Sequence, residues 1–129
     1  MLLFNSYWSS LETVTFIIII INKEKTVQAI YTRTMRVKDD MLGKAMEIGK
    51  GLAKVRKKYF PKHGIYFSFQ IGGDPRTIRE TVIGPMFEGD NEADAKMSAD
   101  KKYQSLQKQL KKVAVEGTIQ DEMRFIFSE

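Results

Sequence analysis

Eight side chains along this sequence have the chemistry to hold or transform an organic molecule: Tyr31, Arg33, Arg56, His63, Tyr66, Gln70, Glu80 and Arg124. Arg33, Tyr66, Glu80 and His63 are the candidates for catalysis, and Tyr31, Gln70, Arg56 and Arg124 those for ligand binding. A cation, phenols and an amide set around a substrate would stabilise the negative charge that develops on an enolate-like group during proton abstraction or oxygen addition. Glu80 is the general base by side-chain type. The plainer alternative is that Arg33 pairs with Asp121 or Glu122 across a sheet while the tyrosines cover apolar surface. His63 is the sole imidazole of the chain and could act as a base or haem ligand, but its place between Pro61 and Gly64 points to an exposed turn. Arg56 falls inside the apolar arc of its helix. It either enters a pocket to hold an anion or, as expected here, lays its stem along the core edge with its guanidinium in water.

Composition narrows the chemistry further. There is no cysteine, which excludes disulfides, thiolate metal sites and a cysteine nucleophile. One histidine cannot build a multi-histidine metal centre within a chain. No metal or cofactor is expected, and a cysteine-free sequence fits the cytoplasm. With 129 residues, 43% hydrophobic and 29% charged, the chain has the length and balance of one globular domain.

The elements that must position these side chains can be read from periodicity. Residues 26–37 are rich in Val, Ile, Thr and Tyr and read as a strand. Asp39 and Asp40 offer an N-cap to a helix in which Met41, Ala45, Ile48, Leu52, Val55 and Tyr59 recur at steps of four and three. Pro61 ends it. Ile65, Phe67, Phe69 and Ile71 alternate with Tyr66, Ser68 and Gln70, the pattern of a half-buried strand. Gly72-Gly73-Asp74-Pro75 is a hairpin turn into a partner strand over 76–87. A short helical turn over 93–97 follows, then a helix capped by Ser98 and carrying Ala99, Tyr103, Leu106, Leu110 and Val113 inward. Gly117 stops it before a last strand over 118–127. Gly49 and Gly51 sit mid-helix, where each costs about 1 kcal/mol relative to alanine. Close packing on the sheet would explain Gly49, whereas nothing in the sequence explains Gly51.

The order β-α-β-β-α-β is the split βαβ, or ferredoxin-like, α+β arrangement, with helices on one face of an antiparallel sheet. Residues 24–129 form this domain. The other sheet face would carry Tyr66, Ser68, Gln70, Gln120, Glu122, Arg124 and Ile126, a mixture that suits a homodimer interface. Residues 1–23 stand apart as an apolar N-terminal extension with five consecutive isoleucines, which prefer a strand. An additional strand or docked arm, or a loosely attached extension, are the two readings. A membrane anchor is disfavoured because polar residues interrupt the roughly 20 apolar residues that a span requires.

The net charge of +5 is concentrated. Residues 41–63 hold seven lysines and arginines against Glu47 alone, more than the excess of the whole chain. Such a helix could bind nucleic acid or another polyanion. The stacking aromatics and RNP signature of a sheet that reads RNA are absent, so a solvated helix face is the expected use of the lysines.

The run Asp90 to Phe125 resembles the dimeric α/β-barrel superfamily, which includes antibiotic biosynthesis monooxygenase-like and NIPSNAP-like proteins. There a short acidic helix leads through Met97-Ser98-Ala99-Asp100-Lys101-Lys102-Tyr103-Gln104 into a lysine-rich helix, similar to an Ala-Asp-Pro-aromatic-Gln pattern. Arg33-Thr34 and Val37-Lys38 look like the first-strand pattern of the NIPSNAP-like proteins. Asp39-Asp40 replaces the usual Pro-Gly, and Lys101 stands where proline is common. The resemblance implies two sheets packed face to face about a two-fold axis, with a ligand pocket between each sheet and its helices or loops. Members include cofactor-free oxygenases, isomerases and haem-degrading enzymes; the last usually take a histidine from the second helix, which here has none. The expectation is a homodimer binding a small organic molecule, with cofactor-independent oxygenation or isomerisation as its chemistry. A polyanion-binding module and a ligand-free dimerisation module are the alternatives.

Overall fold

The computed structural model describes residues 27–85 and 90–128. The expectation for the N-terminal extension lies outside these residues. The elements run β1 (Gln28–Arg36), α1 (Leu42–Tyr59), β2 (Gly64–Phe69), β3 (Thr77–Pro85), α2 (Asp90–Ala99), α3 (Lys101–Val113) and β4 (Gln120–Ile126). The strands form one antiparallel sheet in the order β2-β3-β1-β4. This is the ferredoxin-like arrangement expected from the periodicities.

The helices cover one sheet face because both elements bury matching stripes. Tyr31, Met35, Ile78 and Val82 from the central strands meet Ala45, Ile48, Leu52 and Val55 of α1 and Tyr103, Leu110 and Val113 of α3 in a single core. Alternation on the strands and the 3.6-residue period on the helices point these residues into one layer. None of the described helices is long and apolar enough to cross a membrane.

Local chemistry departs from the sequence reading at four places. Asp39 and Asp40 do not cap α1: Asp40 takes a left-handed conformation (φ 63°), Asp39 pairs with Arg76, and Met41 stands at the N-cap without a side-chain bond. The turn geometry between strand and helix has claimed both aspartates. Ser98 lies inside the ten-residue α2, and Asp100 caps α3 instead, accepting from the amides of Lys102 (2.8 Å) and Tyr103 (3.3 Å). Its other oxygen accepts from the Tyr59 hydroxyl at 2.7 Å, which ties the cap to the end of α1. β2 stops at Phe69, so Ile71 falls in the turn and is exposed. Gly72 and Gly73, both at positive φ, make that turn as expected. β4 begins at Gln120 and ends at Ile126, leaving Ile119 and Phe127 exposed.

Both helix glycines have packing reasons. A Cβ on Gly49 would lie 2.9 Å from the Phe67 ring, so α1 touches β2 only because the side chain is missing. On Gly51 it would meet the tip of Leu106 at 3.1 Å, which makes this glycine the contact point of α1 with α3.

These two environments separate the outcomes of alanine substitution. Gly49→Ala must displace the base of an aromatic ring and is expected to lose about 1 kcal/mol net, overpacking exceeding the gain in helix propensity. Gly51→Ala meets only the end of a flexible leucine and is expected to be within about 0.5 kcal/mol of neutral. Urea unfolding of the two variants checks the difference; equal losses would contradict it. Asp100→Ala, which removes the cap and the Tyr59 partner together, is expected to lower the thermal midpoint more than Ser98→Ala.

Candidate functional site

Cross-strand register builds a polar row through the otherwise apolar layer between sheet and helices. Phe67, Glu80, Arg33 and Asp121 are direct neighbours across β2, β3, β1 and β4. Neighbours in register share a sheet face, and Tyr31, two residues before Arg33, is buried on the same one. Arg33 holds Asp121 through two bonds of 2.7 Å, from Nε and Nη2, in a bidentate pair. The two side chains are 13% and 24% exposed.

Deeper in, Arg56 of α1 reaches down to Glu80, each only 2% exposed. Nε lies 2.5 Å from Oε2. The approach is off the N–H direction, so the contact is an ion pair without hydrogen-bond geometry, and Arg56 Nη1 has no hydrogen-bond partner among the described residues. The guanidinium sits 5.4 Å from the centre of the Tyr103 ring. Burial pushes the Glu80 carboxyl above the usual carboxylate range, while Arg56 and then Arg33 pull it back. Burial, with Glu80 beside it, likewise raises the Tyr31 phenol.

Part of the expected constellation is assembled and part is not. Tyr31, Arg33, Arg56 and Glu80 come together. Tyr66 and Gln70 do not join them, because Tyr66 pairs with Thr81, one residue from Glu80, and therefore faces the opposite side. Tyr66 is 59% exposed on the open face, and Gln70 turns its amide onto the Gly72 carbonyl at 2.9 Å. Arg124 is also on the open face, against Glu122. The alternative pairing of Arg33 with Asp121 is the one observed.

Two expectations are corrected by burial. Arg56 does not send its guanidinium into water; the helical phase points it into the core, where Glu80 is its anion. His63 is not an exposed turn residue but 4% exposed, edge-on to the Phe60 ring at 5.3 Å and close against Gly84. Lys57 donates to its backbone carbonyl. These contacts place it in the packing of the α1–β2 connection, away from Arg33.

Next to the charge cluster a cleft of about 490 Å³ opens between α3 and the sheet. Met35, Tyr103, Leu110, Ala114 and Ile119 supply its apolar surface, and Arg33 forms part of its wall. Gln104, Gln107, Lys108 and Lys111 from one stripe of α3 supply polar groups. Glu80 and Tyr31 are buried and do not line it. Sequence reasoning gave these α3 residues no role, since only the position of α3 over the sheet shows that the stripe borders a cavity. A second hollow, about 660 Å³, lies on the open face among Thr32, Thr34, Arg79, Glu122 and Arg124.

Removing one member of the Arg56–Glu80 pair strands a buried charge. Arg56→Met is expected to cost about 3–5 kcal/mol, and the double substitution with Glu80→Leu to recover most of it. Chemical unfolding of the singles and the double gives the coupling directly, and a double no better than Arg56→Met would contradict the pairing. Because the folded-state carboxyl of Glu80 is raised, its contribution is full below the ordinary value of 4.5 and is lost as pH rises through the folded pKa. The stability of the native chain relative to Glu80→Gln should fall as pH rises above 4.5.

No protein-family profile matches the chain, and no curated protein sequence does. Solved structures share its architecture. A NIPSNAP family protein of unknown function from Agrobacterium tumefaciens superposes with a TM-score of 0.63 at 14% identity, covering 78% of this chain and 91% of that one. A conserved protein from Bacteroides thetaiotaomicron, described as a possible oxidoreductase, has a TM-score of 0.59 at 13% identity over 78% and 99% of the two chains. A protein from Chloroflexus aurantiacus, provisionally described as an antibiotic biosynthesis monooxygenase, has 0.59 at 12% over 79% and 95%. The chain has the ferredoxin-like fold of the NIPSNAP and antibiotic-monooxygenase-like proteins.

Proposed function

We propose that this chain forms a homodimer through the open face of its sheet and that each subunit binds a small organic molecule in the cleft beneath α3. The observation that carries the reading is that cleft: apolar side chains with a few polar groups along one edge, the composition typical of small-molecule sites. The open face supports the dimer, because Tyr66 and Ile126 are exposed there and Ile83 is half-buried, with Arg79, Glu122 and Arg124 among them. The lack of cysteine supports a cytoplasmic setting.

Binding stands ahead of catalysis in this reading. The bidentate bond to Asp121 occupies the edge of Arg33 that an enolate would use, and Glu80 has no path to the cleft. A cofactor-independent oxygenase or isomerase is the second reading, favoured by the raised carboxyl of Glu80 one strand from Arg33. Polyanion binding is weakened by Arg56, one of the seven cations of its segment, being buried against Glu80.

Sedimentation equilibrium on the native chain and on Ile83→Glu tests the dimer. A dimer that the variant weakens by at least about tenfold is expected, since a charge would be buried unpaired in the interface; a monomeric native chain at micromolar concentration would remove this part of the proposal. Ile119→Trp, at an exposed position on the cleft, should abolish thermal stabilisation by small organic ligands that bind the native chain.

A further inference from the structure

The two hollows differ in charge, and that difference defines a ligand class. The open-face hollow mixes Arg79 and Arg124 with Glu122. The α3 cleft has three cationic residues in its lining and no acidic one among the described residues. Arg33 is neutralised there by Asp121. Lys108 and Lys111, by contrast, form no ion pair among the described residues. They lie three residues apart, one turn along α3, so both can address one head group.

Resting on the cleft reading above, we infer that the ligand is an amphipathic organic monoanion whose carboxylate sits between Lys108 and Lys111 while its apolar body covers Met35, Leu110 and Ile119. The lysines set specificity, and the apolar surface supplies most of the affinity. A neutral ligand would leave the lysines with nothing but water, and a cationic one would meet uncompensated positive charge. Gln104 and Gln107, on the same stripe, already donate to the Ser98 carbonyl and the Tyr103 hydroxyl, each at 2.9 Å; the second N–H of each amide can turn to the head group.

Binding of decanoate, 1-decanol and decylammonium to the full-length chain, followed by calorimetry below their aggregation concentrations, tests the assignment. Decanoate should bind about tenfold more tightly than 1-decanol, with decylammonium weakest, as expected for two partly exposed charge contacts. Lys108→Gln with Lys111→Gln should remove that advantage, leaving decanoate and 1-decanol within about threefold of each other, and added salt should weaken decanoate alone. Both substitutions lie on the exposed face of α3, and circular dichroism of the double variant checks that the helix is intact. If decanoate and 1-decanol bind equally and Ile119→Trp weakens both, the cleft is a ligand site but the anion assignment is wrong. If none binds, or if binding is indifferent to Ile119→Trp, the cleft reading falls and the anion assignment with it.

Discussion

The layer between sheet and helices is organised by one buried ion pair, Arg56 with Glu80. Two charges taken from water at the centre of a small domain are costly unless they stay together. Their partnership therefore fixes how α1 lies on β3: a helix rotated or slid by a residue would separate them. Tyr103 rests over the same guanidinium, so α3 is referred to the same point. The core side chains around this pair are apolar and their attraction is non-directional, whereas the pair holds two particular residues together. Arg33 and Asp121 extend the charge row outward to β4, ending it at partial exposure where solvent screens them.

The row also explains why a chain with acidic, basic and phenolic groups in one place offers little of that chemistry to a substrate. Each cation faces a carboxylate belonging to the protein itself. Around the adjoining cleft, the cations without an ion pair among the described residues are Lys108 and Lys111 of α3, which look ordinary in sequence. The division is then between an inner, self-neutralised cluster that sets geometry and an outer, lysine-bearing wall that lines the cleft.

Much of the fold was legible in the sequence because burial is periodic. The alternation from Ile65 to Phe69 and the four-and-three spacing from Ala45 to Tyr59 each report a single buried face, and together they imply the βαββαβ order. The caps were less legible, since Asp39, Asp40, Ser98 and Asp100 are all good capping residues, and the choice among them depends on turns and on Tyr59. The site was half legible. Arg56 stood out by its position within an apolar arc, and Glu80 by its type. The grouping of Arg33 with Tyr66 failed because β1 carries polar and apolar residues on both faces, so its composition does not show that Arg33 turns inward with Tyr31 and Met35, whereas the alternation of β2 already put Tyr66 on the open face. Lys108 and Lys111 could not be singled out, because a lysine bordering a cavity and one in open water have the same sequence context.

Gly49 sets how closely the helical layer meets one edge of the sheet. By lacking a side chain it lets α1 descend onto Phe67 at the β2 side of the sheet. On the other side α3 faces the sheet with Tyr103 and Leu110. A single missing side chain thus brings α1 into contact with β2, while the cleft lies under the other long helix.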